Sequence, residues 1–452
     1  MRIYILGICG TFMGGLARLA SELGHQVGGC DANMYPPMST QLHQLGVDLF
    51  DGYDPAQIES WNPELIVIGN ALSRGNPCVE MVLNRKTRYM SGPRWIYEEV
   101  LRERWVVAIA GTHGKTTTAS LVCWLLEHAG FEPGFLVGGV PENFGVSARL
   151  GSGRFFVIEA DEYDTAFFDK RSKFIHYHPD TLLLNNLEYD HADIFDTLDE
   201  IKKQFHHLVR IVPGKGQILV NQEDDNLADV ISLGCWSQLQ RFSIKEKADW
   251  TAHAQSEDFS RFDVYNQGEF QGTVESPLIG SFNMANTLAA VAAVSHAGVA
   301  AGDACRGVSA FSSVQRRLQL LETIRGISVY DDFAHHPTAI DQTLTALRQR
   351  SGDRRIICVL EPRSNTMLLG GHRHSLARSL DKADQAIVLR PSNARWDLFS
   401  IANGKISISD SVPDIVQSLA GDARDGDQIV IMSNGSFDNI HQKLIDALGV
   451  TD

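Results

Sequence analysis

The segment 111–118 has the composition of a phosphate-binding loop, and it runs Gly111-Thr112-His113-Gly114-Lys115-Thr116-Thr117-Thr118. Its glycines let backbone N–H groups close around phosphate oxygens, and a following helix would add positive potential at its N-terminus. Lys115 adds a point charge, and a threonine hydroxyl can bind Mg²⁺. Ile109 stands where the longer pattern G-x-x-x-x-G-K-[ST] has glycine, so this is the shorter variant. The segment predicts an ATP site with Mg²⁺.

A second glycine loop follows the first apolar run of the chain, and it runs Gly7-Ile8-Cys9-Gly10-Thr11-Phe12-Met13-Gly14-Gly15. Asp31 lies after the next apolar run, where a ribose-binding acid of a dinucleotide fold would fall. Cys9 and Phe12 break the pattern G-x-G-x-x-G, so the residues leave three alternatives: NAD, the diphosphate of another nucleotide, or a structural turn. Asn70 and Ser73, in the turn at 69–77, could close over the same ligand.

Acidic side chains follow the apolar run FFVI at 155–158, in the order Glu159-Ala160-Asp161-Glu162-Tyr163-Asp164. Carboxylates at the carboxyl end of a strand in a phosphate-loop domain are well placed to hold Mg²⁺, although a solvated acidic turn has the same composition. His191 ends a similar segment, NNLEYDH at 185–191. It could join a second Mg²⁺ or orient a phosphate, or it could be structural.

Two amides open an alanine-rich helix predicted near 284–297. Asn283 and Asn286 are three residues apart, so they share one helix face and could bracket an adenine or a ribose. Helix capping is the alternative role for this pair.

Short apolar runs alternate with helical patterns along the chain, which predicts an α/β fold with parallel sheets. The pattern changes at 102–104 and again at 312–317. We therefore predict three domains, at 1–104, 105–314 and 315–452.

The chain has 452 residues and a net charge of −15, which argues against a general nucleic-acid binder. No run of 18 apolar residues occurs, and the N-terminus lacks the apolar core of a signal peptide, so no membrane partner is expected. The seven cysteines are scattered without a C-x-x-C pair. Reduced cysteines and a cytoplasmic location are the expectation.

Six motifs in order resemble the Mur ligases, the ATP-dependent amide-forming enzymes of peptidoglycan synthesis. They are GTHGKTTT (111–118), EADEYD (159–164), NNLEYDH (185–191), NMAN (283–286), QRRLQ (315–319) and DDFAHHP (331–337). The resemblance covers essentially the whole chain. It implies a Rossmann-like N-terminal domain for a UDP-sugar, a central P-loop ATPase domain and a C-terminal Rossmann-like domain for a peptide substrate.

The resemblance also implies a role for individual residues. ATP would be bound by the phosphate loop (Gly111 to Thr117, with Lys115 on the β- and γ-phosphates), by Asn283 and Asn286 at the adenine, by Arg317 at the γ-phosphate and by Asp332 at the ribose. Mg²⁺ would be held by Thr116 with Glu159, and a second ion by His191. The UDP-sugar would lie along Gly10, Thr11, Phe12 and Met13. Phe282 replaces the histidine that usually precedes the two asparagines.

Five further segments resemble the branch of the family that joins a murein tripeptide to UDP-N-acetylmuramate in peptidoglycan recycling. They are GICGTFMGGLA (7–17), GGVPENFGVSARLG (138–151), EYDTAFFDKRSKFIHYHP (162–179), EPRSNTM (361–367) and MSNGSFDNIHQKL (432–444). In EPRSNTM the fork of Arg363 could grip a peptide carboxylate, with hydrogen bonds from Ser364 and Asn365.

The expected reaction activates the sugar carboxylate as an acyl phosphate, with Lys115, His191 and Arg317 as catalytic residues. The nearest alternative is the ligase that adds L-alanine to the same nucleotide. A folyl-polyglutamate ligase, an NAD-dependent oxidoreductase and a nucleotide-binding switch are the others. The protein is expected to act as a monomer or a homodimer.

Overall fold

The structure is a computed structural model that describes residues 1–34, 38–192 and 194–449. Three sheets of five, ten and six strands organise the described chain, with one additional two-stranded hairpin. They occupy 2–91, 105–275 and 319–432 in turn. The α/β architecture of three domains is thereby confirmed, whereas the boundaries at 104 and 314 stay predictions.

The N-terminal domain is a parallel sheet flanked by helices, with strand order β3-β2-β1-β4-β5. Its elements are β1 (Arg2–Leu6), α1 (Thr11–Glu22), β2 (Gln26–Asp31), α2 (Met38–Gln44), β3 (Asp48–Asp51), α3 (Pro55–Trp61), β4 (Leu65–Ile68), α4 (Pro77–Arg85), β5 (Tyr89–Ser91), α5 (Gly92–Ile96) and a π-helical turn (Tyr97–Leu101).

The central domain is built on the ten-stranded sheet, in the order β17-β16-β15-β14-β13-β12-β6-β9-β7-β8. Its elements are β6 (Trp105–Ala110), α6 (Lys115–His128), β7 (Gly134–Leu136), β8 (Ala148–Arg149), β9 (Phe155–Ala160), β10 (Asp164–Ala166), β11 (Asp169–Ser172), β12 (Thr181–Leu184), α7 (Leu198–Ile211), β13 (Gln217–Asn221), α8 (Asp225–Ser232), β14 (Gln238–Ser243), β15 (Trp250–Ala254), β16 (Arg261–Asn266), β17 (Glu269–Glu275), α9 (Ser281–His296) and α10 (Ala301–Gly307). Short 3₁₀ turns lie at Lys173–His176 and Val308–Ala310.

The C-terminal domain has the strand order β18-β19-β23-β20-β21-β22, in which only β18 runs antiparallel to its neighbour. Its elements are β18 (Gln319–Ile324), β19 (Ile327–Asp332), α11 (Pro337–Ser351), β20 (Ile356–Leu360), α12 (Asn365–Leu368), α13 (Arg373–Ser379), β21 (Gln385–Leu389), β22 (Ile406–Ser409), α14 (Val412–Asp422), β23 (Gln428–Met432) and α15 (Ile440–Gly449). Short 3₁₀ turns lie at Leu398–Ile401 and Phe437–Asn439.

The inner parallel strands are continuous apolar runs because helices cover both faces of each sheet. Every residue is buried in β4 (LIVI), β12 (TLLL), β20 (IICVL) and β23 (QIVIM). Polar residues are therefore concentrated in the loops that follow these strands, which is where the site must form.

One apolar core joins the first two domains, and the third domain has its own cores on the two faces of its sheet. Helix α1 approaches the central domain closely at Gly15, where an added Cβ would lie 2.3 Å from a methyl carbon of Leu136. The central and C-terminal domains are linked by polar contacts such as the hydrogen bond between Thr338 and Glu188. Among the described residues, none of the helices combines the length and the apolar character needed to cross a membrane.

We predict that Phe205→Ala on α7 lowers the free energy of unfolding by about 3–5 kcal/mol, because it removes a large buried side chain. Phe205 is fully buried and packs edge-on against Phe174, with ring centroids 5.6 Å apart. The measurement is urea unfolding followed by tryptophan fluorescence. Lys203→Ala, at an exposed position of the same helix, is the matched control and should change the value by less than about 0.5 kcal/mol. Equal effects of the two substitutions would contradict this account.

Candidate active site

Three loops meet at one edge of the central sheet. The phosphate loop follows β6, the acidic segment at 159–164 follows β9, and the segment at 185–191 follows β12. Strand β6 lies between β9 and β12 and runs parallel to both. Because parallel neighbours end at the same edge, the three loops face one another, as the strand-end positions in the sequence predict.

The phosphate loop has backbone angles that favour glycine at two positions. Gly111 has φ 148° and Gly114 has φ 77°. Lys115 is the first residue of α6, so the N–H groups of the helix's first turn point toward the loop. These features provide the backbone donors and positive potential that a bound phosphate requires.

Asn186 fastens the loop to the segment after β12. Its amide oxygen accepts the backbone N–H of His113 at 2.7 Å, and its amide nitrogen donates to the His113 carbonyl at 3.1 Å. The backbone carbonyl of Asn186 also accepts the N–H of Thr112 at 3.1 Å. A single residue thus fixes three backbone groups of the phosphate loop. The sequence places Asn186 within the motif NNLEYDH but does not predict this role.

Lys115 lies in a buried charge network. Its Nζ donates to the Gly111 carbonyl at 2.6 Å and to Glu162 Oε2 at 3.2 Å, and Glu162 Oε1 lies 3.1 Å from His191 Nε2. Burial opposes the ionised form of Glu162, but Lys115 and His191 outweigh that effect and lower its pKa to about 2. Burial also opposes the charge on Lys115, yet the neighbouring acids raise its pKa. Like that of Asn186, this role of Glu162 is not predicted by the sequence.

Thr116 and Glu159, the predicted Mg²⁺ ligands, are in contact. The Thr116 hydroxyl donates to Glu159 Oε2 at 3.2 Å, and the other carboxylate oxygen accepts the Gly138 N–H at 2.5 Å. Burial raises the pKa of Glu159. A divalent cation would offset that effect, and hydroxyl and carboxylate oxygens are the donors that Mg²⁺ prefers. The residues present therefore fit Mg²⁺.

Arg317 reaches this pair from the start of the C-terminal domain. Its Nη2 donates to the Thr116 hydroxyl at 3.2 Å, and its guanidinium lies 5.1 Å from the ring centroid of Phe333. Asp332 lies nearby, where its carboxylate accepts the backbone N–H groups of Leu318 at 2.6 Å and Ala334 at 2.8 Å. Arg317 is thus brought to the phosphate loop, and Asp332 holds the chain segment that carries it.

Asn283 and Asn286 lie beneath the phosphate loop, on the first turns of α9. The Asn286 amide oxygen accepts from Asn185 at 2.9 Å, and its amide nitrogen donates to Asn283 Oδ1 at 3.2 Å. A Cβ added to Gly114 would lie 2.7 Å from Asn286 Oδ1, so only glycine fits above it. The two amides support the loop, and their contact with adenine stays a prediction.

The N-terminal glycine loop lies at the reversal of strand order in the first sheet. From β1 the chain builds outward through β2 and β3, and β4 and β5 lie on the other side. Ligands of such sheets bind in the crevice at this switch point. The chain after β1 carries Gly10 and, at the start of α1, Thr11, which are exposed, and the loop after β4 carries Asn70 and Ser73. These four predicted sugar-nucleotide residues are thus brought to one crevice.

Two of the predicted sugar-nucleotide residues also have structural partners. Asp31 accepts the backbone N–H groups of Cys9 and Asn33, each at 3.0 Å, so it braces the glycine loop. Met13 is 5% exposed and packs in the core, whereas Phe12 is half-buried and packs beside Gly92. Their contacts with a ligand stay predictions.

The predicted peptide-binding segment follows β20, the central strand of the C-terminal sheet. Arg363 is exposed, and within the described part of the chain its guanidinium has no hydrogen-bond or ion-pair partner. Its side chain lies over Gly435, where an added Cβ would lie 2.1 Å from Arg363 Nη1. The Ser364 hydroxyl caps α12 by accepting the Met367 N–H at 3.4 Å, and Asn365 is exposed. Arg363 and Asn365 are therefore available to a ligand.

Glu188 links the phosphate loop to the C-terminal domain. Its Oε2 accepts the Thr338 hydroxyl at 2.7 Å and lies 3.4 Å from His113 Nε2. Burial would raise the pKa of Glu188, but His113, the hydrogen bond from Thr338 and the nearby His336 lower it to about 2. A second link joins the Thr366 hydroxyl to Asp190 Oδ1 at 3.0 Å. The sequence does not reveal these links because their partners are distant in the chain.

Family models match all three parts of the chain. The description "Mur ligase family, catalytic domain" matches residues 2–104, "Mur ligase middle domain" matches 109–294, and "Mur ligase, glutamate ligase domain" matches 316–435. The chain belongs to the Mur ligase family. The resemblance drawn from the six motifs is thus confirmed, and with it the class of enzyme and the use of ATP by that class.

Individual Mur ligases resemble the chain over its whole length. The UDP-N-acetylmuramate–L-alanyl-γ-D-glutamyl-meso-2,6-diaminoheptanedioate ligase of Escherichia coli K12 is 54% identical, over 99% of this chain and 98% of its own. The ligase of the same name from Haemophilus influenzae is 48% identical, over 99% of both chains. A murein peptide ligase structure from Psychrobacter arcticus is 45% identical, with a TM-score of 0.78 over 100% of this chain and 99% of its own.

We predict that Asn186→Ala weakens ATP binding by roughly fivefold to 150-fold, because two hydrogen bonds to the phosphate loop are lost at roughly 0.5–1.5 kcal/mol each. Isothermal titration calorimetry with a non-hydrolysable ATP analogue measures this change.

Asn403→Ala is the matched control for that experiment, since Asn403 also accepts two backbone N–H groups, from Lys405 and Ile406, but does so next to β22. Its affinity for the analogue should equal that of the unmodified protein. Unchanged affinity in Asn186→Ala would show that the loop keeps its shape without the amide.

Proposed function

We propose that the protein is an ATP-dependent ligase that joins the tripeptide L-alanyl-γ-D-glutamyl-meso-diaminopimelate to UDP-N-acetylmuramate in peptidoglycan recycling. The observation that carries the choice of substrates is the 54% identity, over nearly the full length of both chains, to a ligase named for this pair. The composite site supports the reaction class, because the phosphate-loop residue Thr116, the acid Glu159 and Arg317 from another domain converge on one point.

The site residues account for the first step. Water opposes amide formation, so the sugar carboxylate must first be activated by attacking the γ-phosphoryl group of ATP, which gives an acyl phosphate and ADP. Lys115 and Arg317 would bind the γ-phosphate region and spread the charge that develops there. The backbone N–H groups between Gly111 and Thr117 would hold the other phosphates.

Mg²⁺, when bound, supplies further neutralisation of phosphate charge. Thr116 and Glu159 would hold one ion and His191 a second, while Glu162 fixes the orientation of His191. Asn283 and Asn286 would lie near the adenine, and Asp332 would accept from the ribose.

In the second step the free amine of the tripeptide attacks the acyl phosphate, and the tetrahedral intermediate collapses to amide and phosphate. The tripeptide would lie on the C-terminal domain, where Arg363 is free to bind one of its carboxylates and Asn365 can add a hydrogen bond. The links of Glu188 and Asp190 to this domain would keep it closed over ATP and exclude water from the acyl phosphate.

We further propose that the protein works in the cytoplasm, where ATP and sugar nucleotides are made, as a monomer or a homodimer. All seven of its cysteines are free, which suits a reducing compartment.

A substrate-omission assay tests this function. Phosphate release is measured with ATP, UDP-N-acetylmuramate and tripeptide together, with each omitted in turn, and with L-alanine replacing the tripeptide. Release should require all three substrates, and L-alanine should give little. Release that is faster with L-alanine would identify the L-alanine-adding ligase instead, and release without the sugar nucleotide would refute both.

We predict that Lys115→Ala lowers the rate of ATP turnover by roughly a hundredfold or more, because the γ-phosphate loses a positioned cation. Phosphate release under saturating substrates measures the loss. Lys245→Ala, which removes a lysine that is ion-paired with Glu223 at 3.1 Å outside the site, should keep full activity. Retained turnover in Lys115→Ala would refute the assignment of the phosphate loop.

We predict that Arg363→Ala raises the KM for the tripeptide roughly tenfold or more, since a charge-assisted hydrogen bond contributes about 1.5–3 kcal/mol. The KM for ATP should stay unchanged. Arg424→Ala is the control, because Arg424 lies just before β23, at the amino ends of the parallel strands, whereas Arg363 follows the carboxyl end of β20. An unchanged tripeptide KM in Arg363→Ala would remove this residue from the peptide site.

A further inference from the structure

Lys173 is a buried cation at the junction of the first two domains. It follows the hairpin β10–β11 and begins a 3₁₀ turn, where its backbone N–H donates to the Tyr163 carbonyl at 2.8 Å. The residue is only 7% exposed. Lysine is almost never buried to this extent unless it is paired, so its surroundings need an explanation.

The ammonium of Lys173 has one acceptor within the described part of the chain, Asp161 Oδ2 at 3.4 Å. An ammonium carries three N–H donors, so this single long contact leaves most of its capacity unused. Two aromatic rings also lie near the ammonium, with the ring centroid of Tyr163 at 5.3 Å and that of Phe12 at 5.6 Å. The ammonium of Lys173 can therefore donate to a further, negatively charged acceptor.

The position of Lys173 connects the two ligand loops. Phe12 belongs to the glycine loop of the N-terminal domain, where the sugar nucleotide is proposed to bind. On the other side, Asp161 Oδ1 lies 3.9 Å from Nζ of Lys115 in the phosphate loop. A substrate that is held at the first loop and reacts with ATP at the second must place its reacting group between them, and Lys173 lies there.

The acidic residues of the site favour a cation at this point. Glu159, Asp161 and Glu162 all lie along the edge of the central sheet, and they would repel an incoming carboxylate. Lys115 cannot offset this alone, because Glu162 already holds it at 3.2 Å. A second buried ammonium lowers the cost of bringing a carboxylate beside these acids.

We infer that Lys173 binds the carboxylate of the sugar nucleotide and directs it toward the γ-phosphorus of ATP, an inference that rests on the proposed function. One carboxylate oxygen forms the bond to the γ-phosphorus. The bond between that phosphorus and the oxygen bridging it to the β-phosphate breaks, and its electron pair leaves with ADP. Lys173 holds the second carboxylate oxygen throughout, and no proton moves in this step.

The test compares two nucleotides that differ in the lactyl carboxylate. Binding of UDP-N-acetylmuramate and of UDP-N-acetylglucosamine, which lacks the lactyl group, is measured by calorimetry without ATP. Lys173→Met should weaken binding of the muramyl nucleotide by roughly tenfold or more and leave the other nucleotide unchanged. Lys173→Arg, which keeps the charge, should recover part of the loss.

Lys170→Met is the matched control, since Lys170 lies on the hairpin that precedes Lys173, is 69% exposed and is ion-paired with Asp164. It should bind both nucleotides as the unmodified protein does. In turnover assays Lys173→Met should raise the KM for UDP-N-acetylmuramate by a similar factor and leave the KM for ATP within about twofold.

Two results with Lys173→Met would overturn the inference. Equal weakening of both nucleotides in Lys173→Met would show a structural role, and unchanged binding of the muramyl nucleotide would show no role. If Lys173→Met does not fold, Lys173→Gln replaces it, and a selective loss must then appear in that variant. Unmodified protein that binds neither nucleotide would instead overturn the proposed function, which separates the two failures.

Discussion

The buried charge network around Lys115 is the interaction on which the site depends. Removing a carboxylate from water costs several kcal/mol, and Glu162 recovers this only because Lys115 and His191 both contact it. These three residues follow β6, β9 and β12, so the network is complete only when β6 pairs with both β9 and β12. Strand pairing in the central sheet thus brings these three charged groups together. The phosphate loop depends on both the sheet and the charge network.

The third domain adds to the site through polar contacts rather than a shared apolar core. Arg317, Thr338 and Thr366 each reach a residue of the central domain, at Thr116, Glu188 and Asp190. Hydrogen bonds of this kind can be replaced by hydrogen bonds to water at little net cost in free energy. Separating the first two domains, in contrast, would expose their shared apolar core to water. The architecture therefore combines a pair of domains fixed to each other, which we propose hold the sugar nucleotide and ATP, with a third domain that is suited to opening and closing.

Most of the fold could be predicted from sequence, because inner strands of parallel sheets are apolar runs that end in polar motifs. Strands such as β4, β6 and β20 are runs of this kind. Edge strands such as β3 (DLFD) and β22 (ISIS) carry no such signal, since they are short, mixed in polarity and partly exposed. The site was predicted as motifs rather than contacts: composition could not select Glu162 among the acids of EADEYD, nor pair Asn186 with a loop 73 residues away.

Several residues expected to touch ATP are already hydrogen-bonded within the protein, and this favours their proposed roles. Both oxygens of Asp332 accept backbone N–H groups, yet a carboxylate has about four acceptor sites, so two remain for ribose hydroxyls. The bonds already made fix its orientation before ATP arrives. The same holds for Asn286, which Asn185 and Asn283 keep in place beneath Gly114. Groups ordered in advance lose less conformational entropy on binding, so internal hydrogen bonds and ligand contacts support each other here.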